Sequence, residues 1–143
     1  MSAPRVLLTG ATGFLGRHLL GVLNARAEST AVLVRDARAW ARQDWLAEAG
    51  PVSVVEGSPL STSAWSADPR LSGVKTIFHL AAAVAHTRAA SGASADFNVE
   101  STLHLVRVAR QWGARLIFVS SSGTVGCFRF PRLAADEIGR AHV

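Results

Sequence analysis

Apolar residues along the chain fall into short unbroken runs, separated by longer stretches in which they recur at helical spacing. The runs at Arg5–Thr9, Thr30–Val34, Val52–Glu56, Thr76–Leu80 and Arg115–Ser120 predict strands. Segments such as Val32-Leu33-Val34 and Leu116-Ile117-Phe118-Val119 show no polar alternation, as expected where both faces of a parallel sheet are covered. Between them, Gly13–Arg26 carries Leu15, Leu19, Leu20, Val22 and Leu23 at helical spacing, and Ala37–Ala49 carries Trp40, Trp45 and Leu46. Asp96–Trp112 places Val99, Leu103, Val106 and Ala109 on one stripe and stops at Gly113. These side chains are the expected core faces. Gly57–Gly73, rich in Ser and Pro, is too irregular for a full crossover helix and predicts at most a short helical piece. Alternating strands and helices define an α/β chain. Right-handed crossovers then give a Rossmann-type doubly wound parallel sheet of order 3-2-1-4-5, with ligand expected at the carboxyl ends beside the switch between strands one and four. No internal repeat or low-complexity segment interrupts it.

The densest signal is the passage from the first strand to the first helix, Val6-Leu7-Leu8-Thr9-Gly10-Ala11-Thr12-Gly13-Phe14-Leu15-Gly16-Arg17-His18-Leu19-Leu20. Gly10 allows a sharp turn off the strand, Gly13 removes the Cβ that would block a pyrophosphate, and Gly16 lets the helix pack closely. The N–H groups around Phe14 and Leu15, with Thr12 in the same turn, then face an anion at the positive end of the helix. A glycine triplet also marks ordinary turns, but a strand before it and a helix after it favour a dinucleotide-phosphate site.

Composition narrows the class further. A 143-residue chain with 49% hydrophobic residues and 5 prolines suits one globular domain and not a disordered one. No apolar run approaches the ~20 residues of a membrane span, and Met1–Arg5 leads into a strand without a signal-peptide core, so a cytoplasmic location is expected, with no membrane partner. The single cysteine, Cys127, excludes an internal disulfide and stands in no metal-binding pattern. The net charge of +5 is spread along the chain without a basic block, so no nucleic-acid partner is expected.

Thr9–Gly16 resembles the TGxxGFLG fingerprint of the extended short-chain dehydrogenase/reductase family, also called the NAD-dependent epimerase/dehydratase family. Phe78-His79-Leu80-Ala81-Ala82 is similar to that family's HLAA turn, and Asn98-Val99-Glu100-Ser101-Thr102 to its NVxGT helix start. Ile117–Gly126 is similar to the strand and loop that carry its catalytic serine. The resemblance spans residue 5 to about residue 137 and implies a cofactor site that also draws on Leu80, Ala81, Ala82, Asn98, Val119 and Ser120. Read from the residues alone, Ala81, Ala82 and Ala83 either keep the strand end open for a flat ligand or form a tight loop packed on Gly10, and both can hold. Asn98 either bonds loop backbone near the site or caps a helix turn. His79 is expected to be a satisfied core histidine, and His86, His104 and His142 have no identifiable partner.

The residue ending the second strand reads the adenosine ribose. Here Arg35 stands first, followed by Asp36. An acidic side chain accepts from a bare ribose diol, whereas the Arg fork suits a 2′-phosphate, and Arg38 adds charge nearby. NADP is therefore expected over NAD, with Asp36 alternatively the N-cap of the next helix. Where the family has Gly-Asp-Leu after the third strand, this chain has Gly57-Ser58-Pro59-Leu60, so Ser58 and Leu60 would meet the adenine without a carboxylate.

The resemblance implies hydride exchange between the nicotinamide and a small-molecule carbonyl or carbinol. A Tyr serves as acid/base, a Lys lowers its pKa, and a Ser or Thr holds the substrate oxygen. Ser122 fits the last role by its spacing to Gly126, with Ser121 as fallback and Thr124 close by in sequence. The chain has no tyrosine, and its single lysine, Lys75, precedes strand four. A natural non-catalytic variant and a chain cut short before the Tyr/Lys helix both account for this. Ile138-Gly139-Arg140-Ala141-His142-Val143 is one translation of ATC GGA AGA GCA CAC GTC, a common sequencing-library adapter, which favours the second. Residues 1–137 are thus expected to form an NAD(P)-binding domain incomplete at its C-terminus, and 138–143 a non-native tail. The leading function is the cofactor-binding portion of a reductase, epimerase or dehydratase. The alternative is an NADP-sensing regulator without turnover, which has no need of the Ser120–Thr124 cluster. A protein-interaction module is disfavoured by the three glycines. The family's dimers imply a homodimer partner, built through helices this chain only partly contains.

Overall fold

The structure is a computed structural model that describes residues 3–83 and 91–120. Five parallel strands, β1 (Val6–Thr9), β2 (Thr30–Val34), β3 (Ser53–Glu56), β4 (Thr76–His79) and β5 (Arg115–Phe118), pair in the order β3-β2-β1-β4-β5. This is the doubly wound order, and the chain reverses direction across the sheet between β1 and β4. Helices α1 (Phe14–Ala25), α2 (Ala37–Ala41), α3 (Leu46–Ala49) and α4 (Ser91–Trp112) fill the connections, and two 3₁₀ turns, Thr62–Ala64 and Pro69–Leu71, bridge β3 to β4. No helix among the described residues is long and apolar enough to cross a membrane.

Alternation along the central strands sends neighbouring side chains to opposite faces, each with its own core. Leu7, Ala31, Leu33 and Ile77 pack with Leu105, Val108 and Ala109 of α4, and with Trp65, which meets Trp112 edge-on at 6.0 Å. Leu8, Val32 and Val34 pack with Leu20 of α1, and with Trp40 and Ala49. Central strands β1 and β2 are buried throughout, as their apolar runs predict. Strand β5 departs from that expectation: its pattern is only partly covered, and Phe118 is 52% exposed with Val119 also open.

Four sequence expectations about the helices need correction. The helix expected over Ala37–Ala49 is two short helices. The Gln43 side chain donates to the Ala39 carbonyl at 3.2 Å, and the Gln43 backbone N–H turns back to Trp40 O, so the helical ladder ends there. Helix α4 begins at Ser91, earlier than Asp96, because Ser91–Ala95 holds only small residues with no apolar period to detect. The stripe assigned to its core face is largely on the outside: Val99, Leu103 and Val106 are 59%, 50% and 45% exposed. Leu105, Val108, Ala109 and Trp112 form the true inner stripe, extended by a buried Ser101 whose polarity hides it from a hydrophobic pattern. In α1, likewise, Gly16, Leu20 and Leu23 face inward, whereas Leu15 and Val22 are half exposed.

Candidate functional site

The chain leaves β1 through Gly10, whose φ of 74° lies in the left-handed region. A Cβ there would stand 2.6 Å from Ala81 N and from the Leu80 carbonyl carbon, so the loop after β4 lies directly on this turn. Gly13 N–H donates to Gly10 O at 3.0 Å and closes the turn. Gly13 is also the N-cap of α1 and offers no side chain to the helix end. The first-turn N–H groups of Phe14, Leu15 and Gly16 therefore have no intrahelical acceptor and sit at the positive end of α1. A Cβ on Gly16 would collide with Gly10 O and the Ala11 Cα, so this glycine seats the helix on the turn itself.

The turn opens into a cleft of about 750 Å³ at the carboxyl ends of the strands. This lies within the range of small-molecule and cofactor sites. Of the residues singled out from sequence, Gly10, Thr12, Gly13, Arg35, Asp36, Leu80, Ala81 and Ala82 line it. Phe14 and Leu15 project outward, Phe14 being 74% exposed with the Arg17 guanidinium 5.6 Å from its ring centre. Ser58 and Leu60 flank the cleft without lining it. The Ser58 hydroxyl accepts from Leu60 N–H at 3.2 Å, and Pro59 between them forms the wall. Val119 and Ser120 follow β5 in exposed positions and are not part of the lining, Val119 N–H donating to His79 O at 3.2 Å. Ser121, Ser122, Thr124 and Cys127 lie outside the described residues.

On the β2 side, Asp36 caps α2, its Oδ1 accepting from Arg38 N–H at 2.8 Å and Ala39 N–H at 2.9 Å. Both carboxylate bonds are local, which is the N-cap alternative. Arg35 is exposed on the rim just before it. Ala39, Trp40, Gln43 and Pro59 also line this wall, and no sequence motif marks them as site residues. Trp40 reads from sequence only as core, which it also is. Gln43 is held by the Trp45 indole N–H at 3.2 Å, a contact that no motif announces. His104, expected to lack a partner, stands with Nδ1 3.3 Å from Pro59 O and so holds this loop from α4.

On the β4 side, His79 is buried between Thr9, 2.8 Å from Nδ1, and Ser101, 3.4 Å from Nε2. Burial holds its imidazole below the ordinary pKa of 6.5. It is the satisfied core histidine expected. Thr9 Oγ1 also accepts from Ala81 N–H at 3.2 Å. Asn98 stands behind the wall and clamps Ala83 twice, Oδ1 accepting from its N–H at 2.7 Å and Nδ2 donating to its carbonyl at 3.0 Å. Of the alternatives open for Asn98, the loop-backbone bond is the one found. Leu80 and Ala81 thus pack on Gly10, and the small residues Ala81–Ala83 leave the strand end open. Phe97, also on α4, lines the cleft beyond them.

The model of the NAD dependent epimerase/dehydratase family matches residues 6–138. Among curated relatives, the chain is 32% identical over 121 residues to a 3-diazoavenalumate denitrifying reductase of Streptomyces sp., covering 82% of this chain and 37% of the relative. It is 33% identical over 121 residues to sterol demethylase protein B of Methylococcus capsulatus, covering 84% and 35%. The chain therefore spans little more than a third of either relative's length. Among solved structures, MoeE5 in complex with UDP-glucose and NAD superposes with a TM-score of 0.66 at 27% identity, covering 87% of this chain and 38% of that one. With the fold, the glycine turn and the family match in agreement, this chain belongs to the NAD dependent epimerase/dehydratase family.

Proposed function

We propose that residues 1–137 are the cofactor-binding portion of an NADP-dependent reductase, epimerase or dehydratase. The observation that carries this is the uncapped N-terminus of α1, opening through a turn flanked by Gly10 and Gly13 into a cleft that extends to Arg35. Anionic phosphates fit that geometry, since the amides of Phe14 and Leu15 supply donors and the absence of a Cβ at Gly13 leaves the backbone approachable. NAD in the MoeE5 complex supports a nicotinamide dinucleotide in this chain too. When bound, the cofactor supplies hydride chemistry. The chain's own residues bind and orient it. Gly10–Leu15 hold the diphosphate, Arg35 and Asp36 meet the adenosine ribose, Pro59 with Ser58 and Leu60 bounds the adenine, and Leu80–Ala82 shape the opposite wall.

NADP is favoured over NAD because Arg35 offers an exposed guanidinium at the ribose end, while Asp36 already spends one carboxylate oxygen on two helix amides. In the complete protein, a small-molecule carbonyl or carbinol would be the substrate, with Ser122, or Ser121 in its place, holding its oxygen. Val119 and Ser120 then lead from β5 toward the nicotinamide. Isothermal titration of the folded chain with NADP⁺ and with NAD⁺ tests the proposal. Tighter binding of NADP⁺ is expected. Tighter binding of NAD⁺ would overturn the preference, and uptake of neither would overturn the cofactor site.

A further inference from the structure

The β4 wall of the cleft hangs on one buried ring. Ser101 Oγ lies 3.2 Å from Asn98 O and 3.4 Å from His79 Nε2, so with its one proton given to the nearer carbonyl it accepts from Nε2–H. A neutral imidazole then accepts at Nδ1, and the Thr9 hydroxyl donates to it at 2.8 Å. Thr9 Oγ1 in turn accepts from Ala81 N–H. The chain of bonds therefore runs from Ala81 N–H through Thr9, His79 and Ser101 to Asn98, whose amide holds both backbone groups of Ala83. Thr9 and His79 set the Ala81 end of the lining segment directly, and Asn98, on the same helix as Ser101, sets the Ala83 end. The adenosine half of a dinucleotide belongs at the tip of β2, so this segment faces the other half.

We propose that His79, as the Nε2–H tautomer, is a positioning residue that places Ala81–Ala83 and thereby sets affinity for the nicotinamide half of the cofactor. This rests on the cofactor reading above. The Phe118 ring, 5.8 Å from the imidazole at a 39° tilt, closes the remaining side, so the ring is held by contact as well as by its two bonds.

The test compares NADP⁺ with adenosine 2′,5′-bisphosphate, which reaches the β2 wall and the glycine turn but not the β4 wall. His79→Phe is expected to weaken NADP⁺ by about tenfold and to leave the bisphosphate within about twofold. His79→Asn, which returns an acceptor toward Thr9, is expected to recover part of the loss. Amide exchange at Ala81, measured without ligand, should accelerate in His79→Phe. Should that variant not fold, Ser101→Ala carries the same comparison, with the same selectivity and a smaller loss. Equal weakening of both ligands, or unchanged NADP⁺ affinity and unchanged Ala81 exchange, overturns the proposal. Failure of the wild-type chain to bind either ligand would overturn the cofactor reading itself, while Ala81 exchange would still report on His79.

Discussion

The two walls of the cleft are fixed over different distances. On the β2 side, the bonds around α2 span a few residues, Asp36 to Arg38 and Ala39, Gln43 to Ala39 and Trp45 to Gln43, and longer contacts at 3.3 Å tie Ala37 to Glu56 and Pro59 to His104. On the β4 side, Thr9 reaches His79 and Ala81 across 70 and 72 positions, and Asn98 reaches Ala83 across 15. The α2 part of the first wall can form with its own segment, while Pro59 is placed by the loop after β3 and by His104. The second exists only once β1, β4 and α4 have assembled, so its geometry is a property of the whole fold.

Gly10 joins the walls and gives the largest effect. Gly10→Ala would force a side chain into a left-handed backbone position and against the Leu80–Ala81 backbone, costing roughly 3 kcal/mol or more. Denaturant unfolding is expected to show a chain largely unfolded or unable to retain the β4 wall. A wild-type midpoint in that variant would mean the walls are not pressed together there. The next largest effect separates them. Asn98→Ala strands both backbone groups of Ala83 and is expected to cost about 2 kcal/mol, whereas Asp36→Ala removes a local cap worth about 1 kcal/mol. Amide exchange should rise at Ala83 in the first variant and only near Arg38 and Ala39 in the second. Spread of the Asp36→Ala effect to the β4 wall would break the contrast.

This contrast also accounts for what could be read from sequence. The glycine turn, the sheet order and Asp36 as a cap are legible because strand, turn and helix signals there are contiguous. The inner face of α4 is not: Val99, Leu103 and Val106 form an apolar stripe as regular as the true one, and only packing against β4 and β5 selects Leu105, Val108 and Ala109. Ser101 and Asn98, polar and turned inward, acquire meaning only beside His79 and Ala83. Gln43 reaches the cleft where the helix after β2 ends, and Pro59 reaches it from the loop after β3, beside His104 of α4.

Two smaller effects sharpen each wall. Arg35→Ala is expected to weaken NADP⁺ by about tenfold and NAD⁺ by no more than about twofold, measured by calorimetry. Equal losses would remove Arg35 as the ribose-phosphate contact. For the β4 wall, burial keeps His79 neutral below its ordinary pKa of 6.5. Below that pH the unfolded chain takes up a proton that the folded chain refuses. His79's contribution is therefore complete above 6.5 and is lost as pH falls from there through the lower folded-state pKa. Denaturant unfolding across this window should show stability declining with acid in the wild type, and a flatter profile in His79→Asn.

The most direct test of the central claim follows the backbone amides of Phe14 and Leu15 by ¹⁵N–¹H NMR while NADP⁺ is added to the folded chain. If the uncapped end of α1 holds the diphosphate, both resonances shift saturably together with that of Arg35. Saturation of the protein with neither Phe14 nor Leu15 moving would contradict it.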